Sequence, residues 1–242
     1  KPTVNMRSRT WILLLGLALM TASALAATHM DPARIPPGRP HLRIHLVYNY
    51  EVYTRPFFFK PKSRPSFGIW IKDRDNGHTA PVYVTRKAGL DKWTFTRKRP
   101  EAIPVWYGVR DRQGEALAKG RELDLDAISS ATPKGDAATI YWEIPPEFQG
   151  RPMEIYIEAN NSFDFNPHYT KQKGAPQYSA ANGQPSLVWR AVVDPAAQKA
   201  PVTPQLVGHG ELFGKTHQIY SDLGKITSAA DTFKDIQIDV LQ

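Results

Sequence analysis

Residues 67–85 read FGIWIKDRDNGHTAPVYVT. Phe67, Ile69 and Ile71 recur at the period of two that a half-buried strand requires. Val82 and Val84 repeat that spacing beyond Asp73-Arg74-Asp75-Asn76-Gly77. Asn76-Gly77 offers the positive φ angles of a tight turn, so the stretch predicts an antiparallel hairpin. The Asp-x-Asp-Asn-Gly string also has the look of a calcium loop, but the downstream glutamate of such a loop is missing, which favours the turn.

The same period of two runs outward from this hairpin in both directions. Leu42, Ile44, Leu46 and Tyr48 share one side of a strand, as do Ile140, Trp142 and Ile144. Ile155, Ile157 and Ala159 follow, then Leu187, Trp189, Ala191 and Val193, and finally Ile236, Ile238 and Val240. These segments are short and separated by turn residues rather than by helical patterns. They predict an all-β fold, an antiparallel β-sandwich of immunoglobulin-like type. One short C-terminal helix is expected, with Ser221 as N-cap, Asp222 in its first turn, and Leu223, Ile226, Ala230 and Phe233 as its apolar stripe. Residues 196–204, rich in Ala and Pro, read as a linker crossing the domain.

The beginning of the chain reads as an export signal. A short basic segment at Met6-Arg7-Ser8-Arg9 precedes the apolar run Trp11–Met20, and Ala24-Leu25-Ala26 supplies a small-residue cleavage pattern. That run is shorter than the roughly 20 apolar residues of a membrane span. Residues 1–26 are therefore expected to be a signal peptide, and 27–242 one sandwich domain that is exported to the periplasm and does not itself span the membrane. The five residues before Met6 read as an upstream extension, and the mature chain is expected to start near Ala27. The net charge of the 242-residue sequence is +8, and loss of Lys1, Arg7 and Arg9 leaves about +5. A mild positive balance suits an anionic ligand or surface, whereas export argues against a nucleic-acid partner. The sequence has no cysteine, which excludes thiol catalysis and cysteine-ligated metal.

Hydrolase signatures are missing: there is no Gly-x-Ser-x-Gly and no His-Glu-x-x-His. His41 and His45 fall on one face of a strand, opposite Leu42, Ile44 and Leu46, and are expected to face solvent. His209 and His217 flank a glycine-containing loop, GHGELFGKTH, that can be a site or a plain connection. The long polar stretch 160–184 can serve as a binding loop, with Phe163, Phe165, His168, Tyr169 and Tyr178 as anchors. Trp93, Trp106, Tyr107, Tyr141 and Trp142 lie in the same part of the sequence as the cations Arg97, Lys98 and Arg99. Such rings and charges suit a planar anionic ligand, and tryptophans of a sandwich equally suit its core.

Residues 126–132, DAISSAT, lie in that same region. They can form a turn, since Asp and Ser bond their own backbone and Pro133 and Gly135 continue the loop. They also resemble the Asp-x-x-(Ser/Thr)-Gly-Ala-Thr signature of exported FMN-binding domains. There, a flavin transferase of the ApbE type joins FMN through its phosphate to the final threonine. This resemblance implies that Thr132 is the acceptor, that Ala131 gives access, and that Ser129 and Asp126 hold the turn. Ser130 stands where that signature has glycine.

The wider chain resembles the exported domain-of-unknown-function family 2271. The likeness runs through SFGIWIKDRDNG, LDKW, DAISSATPKGDAATIYWEI, MEIYIEANN, VGHGELFG and ITSAADTFKDIQIDV. It implies a periplasmic redox accessory with covalent FMN that exchanges electrons with a PepSY-type membrane reductase. Arg97, Lys98 and Arg99 would then neutralise the phosphate, and Trp106, Tyr141 or Trp142 would cover the ring. A non-catalytic envelope binding module using the 160–184 loop is the other reading. Both are carriers or binders rather than independent enzymes.

Overall fold

The computed structural model describes residues 38–51, 64–93, 98–117, 129–130 and 135–242, with the backbone alone for 113–117 and 129–130. Two sheets face one another. Strand β1 (His41–Tyr48) lies between β5 (Ala137–Glu143) and β9 (Phe233–Leu241), antiparallel to both. The larger sheet is ordered β4-β3-β2-β6-β7-β8. Its strands are β2 (Ser66–Asp73), β3 (Thr79–Thr85), β4 (Ser129–Ser130), β6 (Met153–Asn160), β7 (Leu187–Val193) and β8 (Gln205–His209). All its pairings are antiparallel except that of β4, which runs parallel to β3. This is an all-β antiparallel sandwich. The alternating apolar residues of β1, β2, β5, β6, β7 and β9 meet in one core between the sheets.

The β2–β3 hairpin forms with a different turn from a two-residue Asn-Gly one. Asp73 Oδ1 accepts the amides of Asp75 (2.8 Å) and Asn76 (3.4 Å), and the Gly77 amide reaches Asp73 O at 3.0 Å. Gly77 takes φ +71°, whereas among described residues only Asp91 and Phe163 are non-glycine residues with positive φ. A carboxylate thus winds the chain into one helical turn, and a single left-handed glycine closes it. The Asp75 amide above all, then that of Asn76 and the Arg151 guanidinium, hold the Asp73 carboxyl below the usual carboxylate range. The spacing of Val82 and Val84 is also broken. Register shifts between Ile69 and Trp70, so that Val82 and Tyr83 both join the inner core and Val84 turns outward. This is a β-bulge, which places two residues against one.

That outer side of the large sheet is not solvated. Helix α2 (Pro104–Leu117) and the short α1 (Arg86–Gly89) lie against it, which the sequence reading did not expect. A second core forms there from Trp70, Val84, Ala88, Ile103, Val105, Trp106, Tyr107, Val109, Tyr156 and Val188. The expected C-terminal helix is reduced to a 3-10 turn, Ser228–Asp231, and Phe233 belongs to β9. The residues before it spend their hydrogen bonds elsewhere. Asp222 Oδ1 accepts the Gly224 amide at 2.9 Å, and Gln184 Oε1 accepts that of Thr227 at 2.7 Å. The linker after β7 does cross the domain: Val202 pairs with Ile238 of the small sheet before the chain returns as β8.

Candidate functional site

The expected site residues do not converge on one place. Asp126, Ala131, Thr132, Arg97 and residues 1–26 lie outside the described residues. Ser129 and Ser130 form β4, opposite Val84 and Thr85 of β3. Ser130 has extended backbone there, a conformation open to any residue, so serine in place of glycine carries no φ strain. Thr85 marks one end of the sheet: its Oγ1 accepts the Phe67 amide at 3.2 Å, and Ser66 pairs with Asn160. Arg99 sits at that same end, while Lys98 beside it in sequence is exposed.

The aromatic partners expected for a flavin are elsewhere. Trp142 is in the inner core, edge-on to Phe148 (6.4 Å), which in turn stacks on His78 at the hairpin turn. Thr79 to Thr85 spans about 20 Å of extended strand at ~3.3 Å per residue, so Trp142 and Ser130 lie towards opposite ends of the sandwich. Tyr141 is nearly buried on the other face of β5, opposite Arg43 in the register. Trp106 is fully buried in the second core. Trp142 and Trp106 therefore pack as core, in different clusters, and Tyr141 belongs to neither.

Arg99 is a structural hub. Its guanidinium donates to Asn182 Oδ1 (2.6 Å), Ser162 Oγ (3.2 Å) and Glu101 Oε1 (3.2 Å), and it lies 4.7 Å from the centre of the Trp93 ring. Asn182 Nδ2 also donates to Glu101 O and Leu212 O. The 160–184 loop is clamped by this hub on one side. On the other, Asn161 bonds Thr232 (2.9 Å), Ser228 donates to Asp164 (2.5 Å) and Gln184 Nε2 donates to Ser228 Oγ at 2.9 Å. Burial raises the Asp164 carboxyl above its ordinary value, against the pull of the Ser228 and Gln184 side-chain hydrogen bonds. Of the expected anchors, Tyr169 is buried, Phe163, Phe165 and Tyr178 are half-buried, and His168 is exposed. The longest exposed run of the loop is 171–174.

Histidines behave differently from expectation as well. His41 is completely buried, with Nδ1 2.7 Å from Arg39 O, while His45 bonds Thr139 Oγ1 at 2.9 Å. The face opposite the apolar set is thus covered at His41. His209 and His217 are each held by a different backbone carbonyl. His209 Nδ1 lies 2.7 Å from Gly210 O, and His217 Nδ1 lies 2.7 Å from Pro104 O at the start of α2.

Glu158, on the outer face of β6, fixes the start of α2. Its Oε2 accepts the Trp106 amide (2.7 Å), and its Oε1 accepts the Val105 amide (3.2 Å) and the Ser186 hydroxyl (2.7 Å). These first-turn amides have no partner within a helix, and the positive end of the helix dipole favours a carboxylate there. Complete burial nevertheless pushes the Glu158 carboxyl up to about 7, against the pull of the Ser186, Trp106 and Val105 donors. Beneath the helix, a Cβ on Gly68 would stand 2.4 Å from the Trp106 ring. Glycine at that point lets the helix lie directly on the sheet.

Helix, sheet and the loop carrying His217 leave an open groove of about 780 Å³ between them. Trp70 and Tyr156, directly opposite each other on β2 and β6, stack at 5.2 Å with planes 3° apart and form part of its lining. No described residue of this groove was singled out from the sequence except His217 and the hairpin glycine. Its signal was faint, since Trp70, Lys72, Tyr156 and Arg112 look like solvent-facing residues until α2 is known to cover that face. No known protein family, curated protein or solved structure matches the chain.

Proposed function

We propose that this protein is an exported redox accessory that carries FMN through a phosphoester on Thr132 and exchanges electrons with a PepSY-type membrane reductase. The observation that carries the reading is the pairing of Ser129–Ser130 with β3. It holds Ser129 and Ser130, in the middle of DAISSAT, at a sheet edge in extended backbone, two residues before Thr132. Bound flavin would supply the electron chemistry, and the protein would position it and tune its potential. Arg99 is committed to Asn182, Ser162 and Glu101; in this reading Arg97 and Lys98 neutralise the phosphate. Trp142 and Trp106 are core residues in this account, so the ring is left to groups near the Ser130 end.

The test is co-expression with a flavin transferase of the ApbE type, followed by a denaturing gel read for flavin fluorescence. A fluorescent band is expected for the natural sequence and none for Thr132→Ala. A dark band for the natural sequence, with a transferase shown to be active on another substrate, contradicts the proposal.

A second reading, a non-catalytic envelope binding module, is favoured by the exposed 171–174 tip on a loop clamped at both sides. Replacing the tip by a shorter glycine-serine turn is then expected to leave thermal unfolding unchanged and to abolish crosslinking to an envelope partner. Unchanged crosslinking contradicts it.

A further inference from the structure

We infer that the groove beside α2 binds a small organic anion with an aromatic body. Three observations on the structure converge. The first is its apolar lining: Trp70 and Tyr156 from the sheet, Val105 and Val109 from the helix, and Ile219 from the covering loop. Ile219 is 37% exposed, a large apolar side chain left open at the rim. The second is charge. Lys72 and Arg112 bring permanent positive charge to the same groove, His78 and His217 add imidazoles, and no carboxylate is among its described lining residues. Among the described residues no ion pair engages Lys72 or Arg112. The nearest acid in the strand register, Glu154 opposite Lys72, is bonded to Tyr156 Oη (2.8 Å) and Arg190 (3.5 Å). The third is size, since 780 Å³ falls within the roughly 300–1,000 Å³ of small-molecule sites.

The architecture explains why the groove stays open. Val105, Val109 and Arg112 are spaced by four and three residues, so one face of α2 forms its wall. His217 is pinned to that helix: its Nδ1 donates to Pro104 O, and a Cβ on Gly108 would stand 2.4 Å from the His217 Cβ. The loop is therefore held at the helix while its next residues, Gln218 and Ile219, line the opening. Apolar walls take up the aromatic body, and guanidinium and ammonium groups satisfy the anionic head by charge-assisted hydrogen bonds. The site is independent of the flavin proposal. Thr79 borders the groove, whereas Thr85, six residues along β3, pairs with Ser130.

The experiment uses the full chain and two fluorescent probes that differ by one charge. These are anilinonaphthalene sulfonate and its uncharged counterpart, N-phenyl-1-naphthylamine. The expected result is saturable 1:1 binding of the sulfonate, weakened at least tenfold in Lys72→Gln/Arg112→Gln. The uncharged probe is expected to bind both proteins within twofold. Lys199→Gln, an exposed charge loss in the segment between β7 and β8, is expected to leave sulfonate binding unchanged. Circular dichroism confirms that the variants, both made at partly or fully exposed positions, remain folded. The inference is overturned if the sulfonate fails to bind, if the double variant binds it as well as the natural sequence, or if Lys199→Gln weakens it equally.

Discussion

Glu158 carries a carboxylate into a place where three donors depend on it, two of them amides at the start of α2. Glu158→Ala is expected to destabilise the fold by about 2–4 kcal/mol, because the buried amides lose their acceptor. Chemical denaturation measures this directly. The same residue makes stability depend on pH. Its carboxyl titrates near 4.5 in the unfolded chain and near 7 in the fold, so between those values the folded state holds more protons. Its contribution to stability is therefore fully present below about pH 4.5 and declines by about 3 kcal/mol as pH rises to 7. Denaturation of Glu158→Ala across that window is expected to lack this decline; an identical slope in both proteins contradicts the assignment. Gly68→Ala is expected to cost about 1–3 kcal/mol, since its methyl group meets the Trp106 ring in an already filled contact. In the sequence, Glu158 gave no sign of this role. In MEIYIEAN it occupies the polar phase of an alternating strand and reads as solvent-facing. Only the helix laid over that phase makes it buried.

At the scale of elements, the inward phase of β1, β2, β5, β6, β7 and β9 was legible because one face of each is buried in a single core. Three features were not. The bulge at Val82 depends on how β3 meets β2 across the hairpin, which spacing within β3 alone does not record. Helix α2 hides because Val105, Trp106, Tyr107 and Val109 are all buried, so its apolar residues wrap round the axis instead of forming a stripe. The reverse error befell residues 221–231, whose spaced apolar residues mimic a stripe while Asp222 and Gln184 draw the amides of Gly224 and Thr227 out of helical bonding. The β2–β3 turn offers a test of the account at this scale. Asp73→Ala removes the acceptor for two turn amides and is expected to lower the thermal midpoint clearly. Arg151→Ala removes only a partner that is 44% exposed, and is expected to lower it much less. Equal losses in differential scanning calorimetry would show that the ion pair, rather than the amide bonds, holds the turn.

Taken as a whole molecule, the sandwich is a large sheet used on both faces. Its inner face closes the main core against β5, β1 and β9, and its outer face supports α2 and the groove. That second use explains why the candidate site was only partly visible in the sequence. Proximity along the chain grouped Arg99, Trp106, Tyr141 and Trp142, but the fold sends them to a hydrogen-bond hub, the second core, the outer face of β5 and the main core. Of the DAISSAT stretch, the fold places Ser129 and Ser130, at the edge of the large sheet beside β3. The central claim, FMN on Thr132, is tested most directly by the intact mass of the protein co-expressed with an active flavin transferase. The expected mass shows a gain of one FMN less one water, localised by peptide mapping to Thr132 and lost in Thr132→Ala. An unmodified mass, or an adduct that persists in Thr132→Ala, contradicts it.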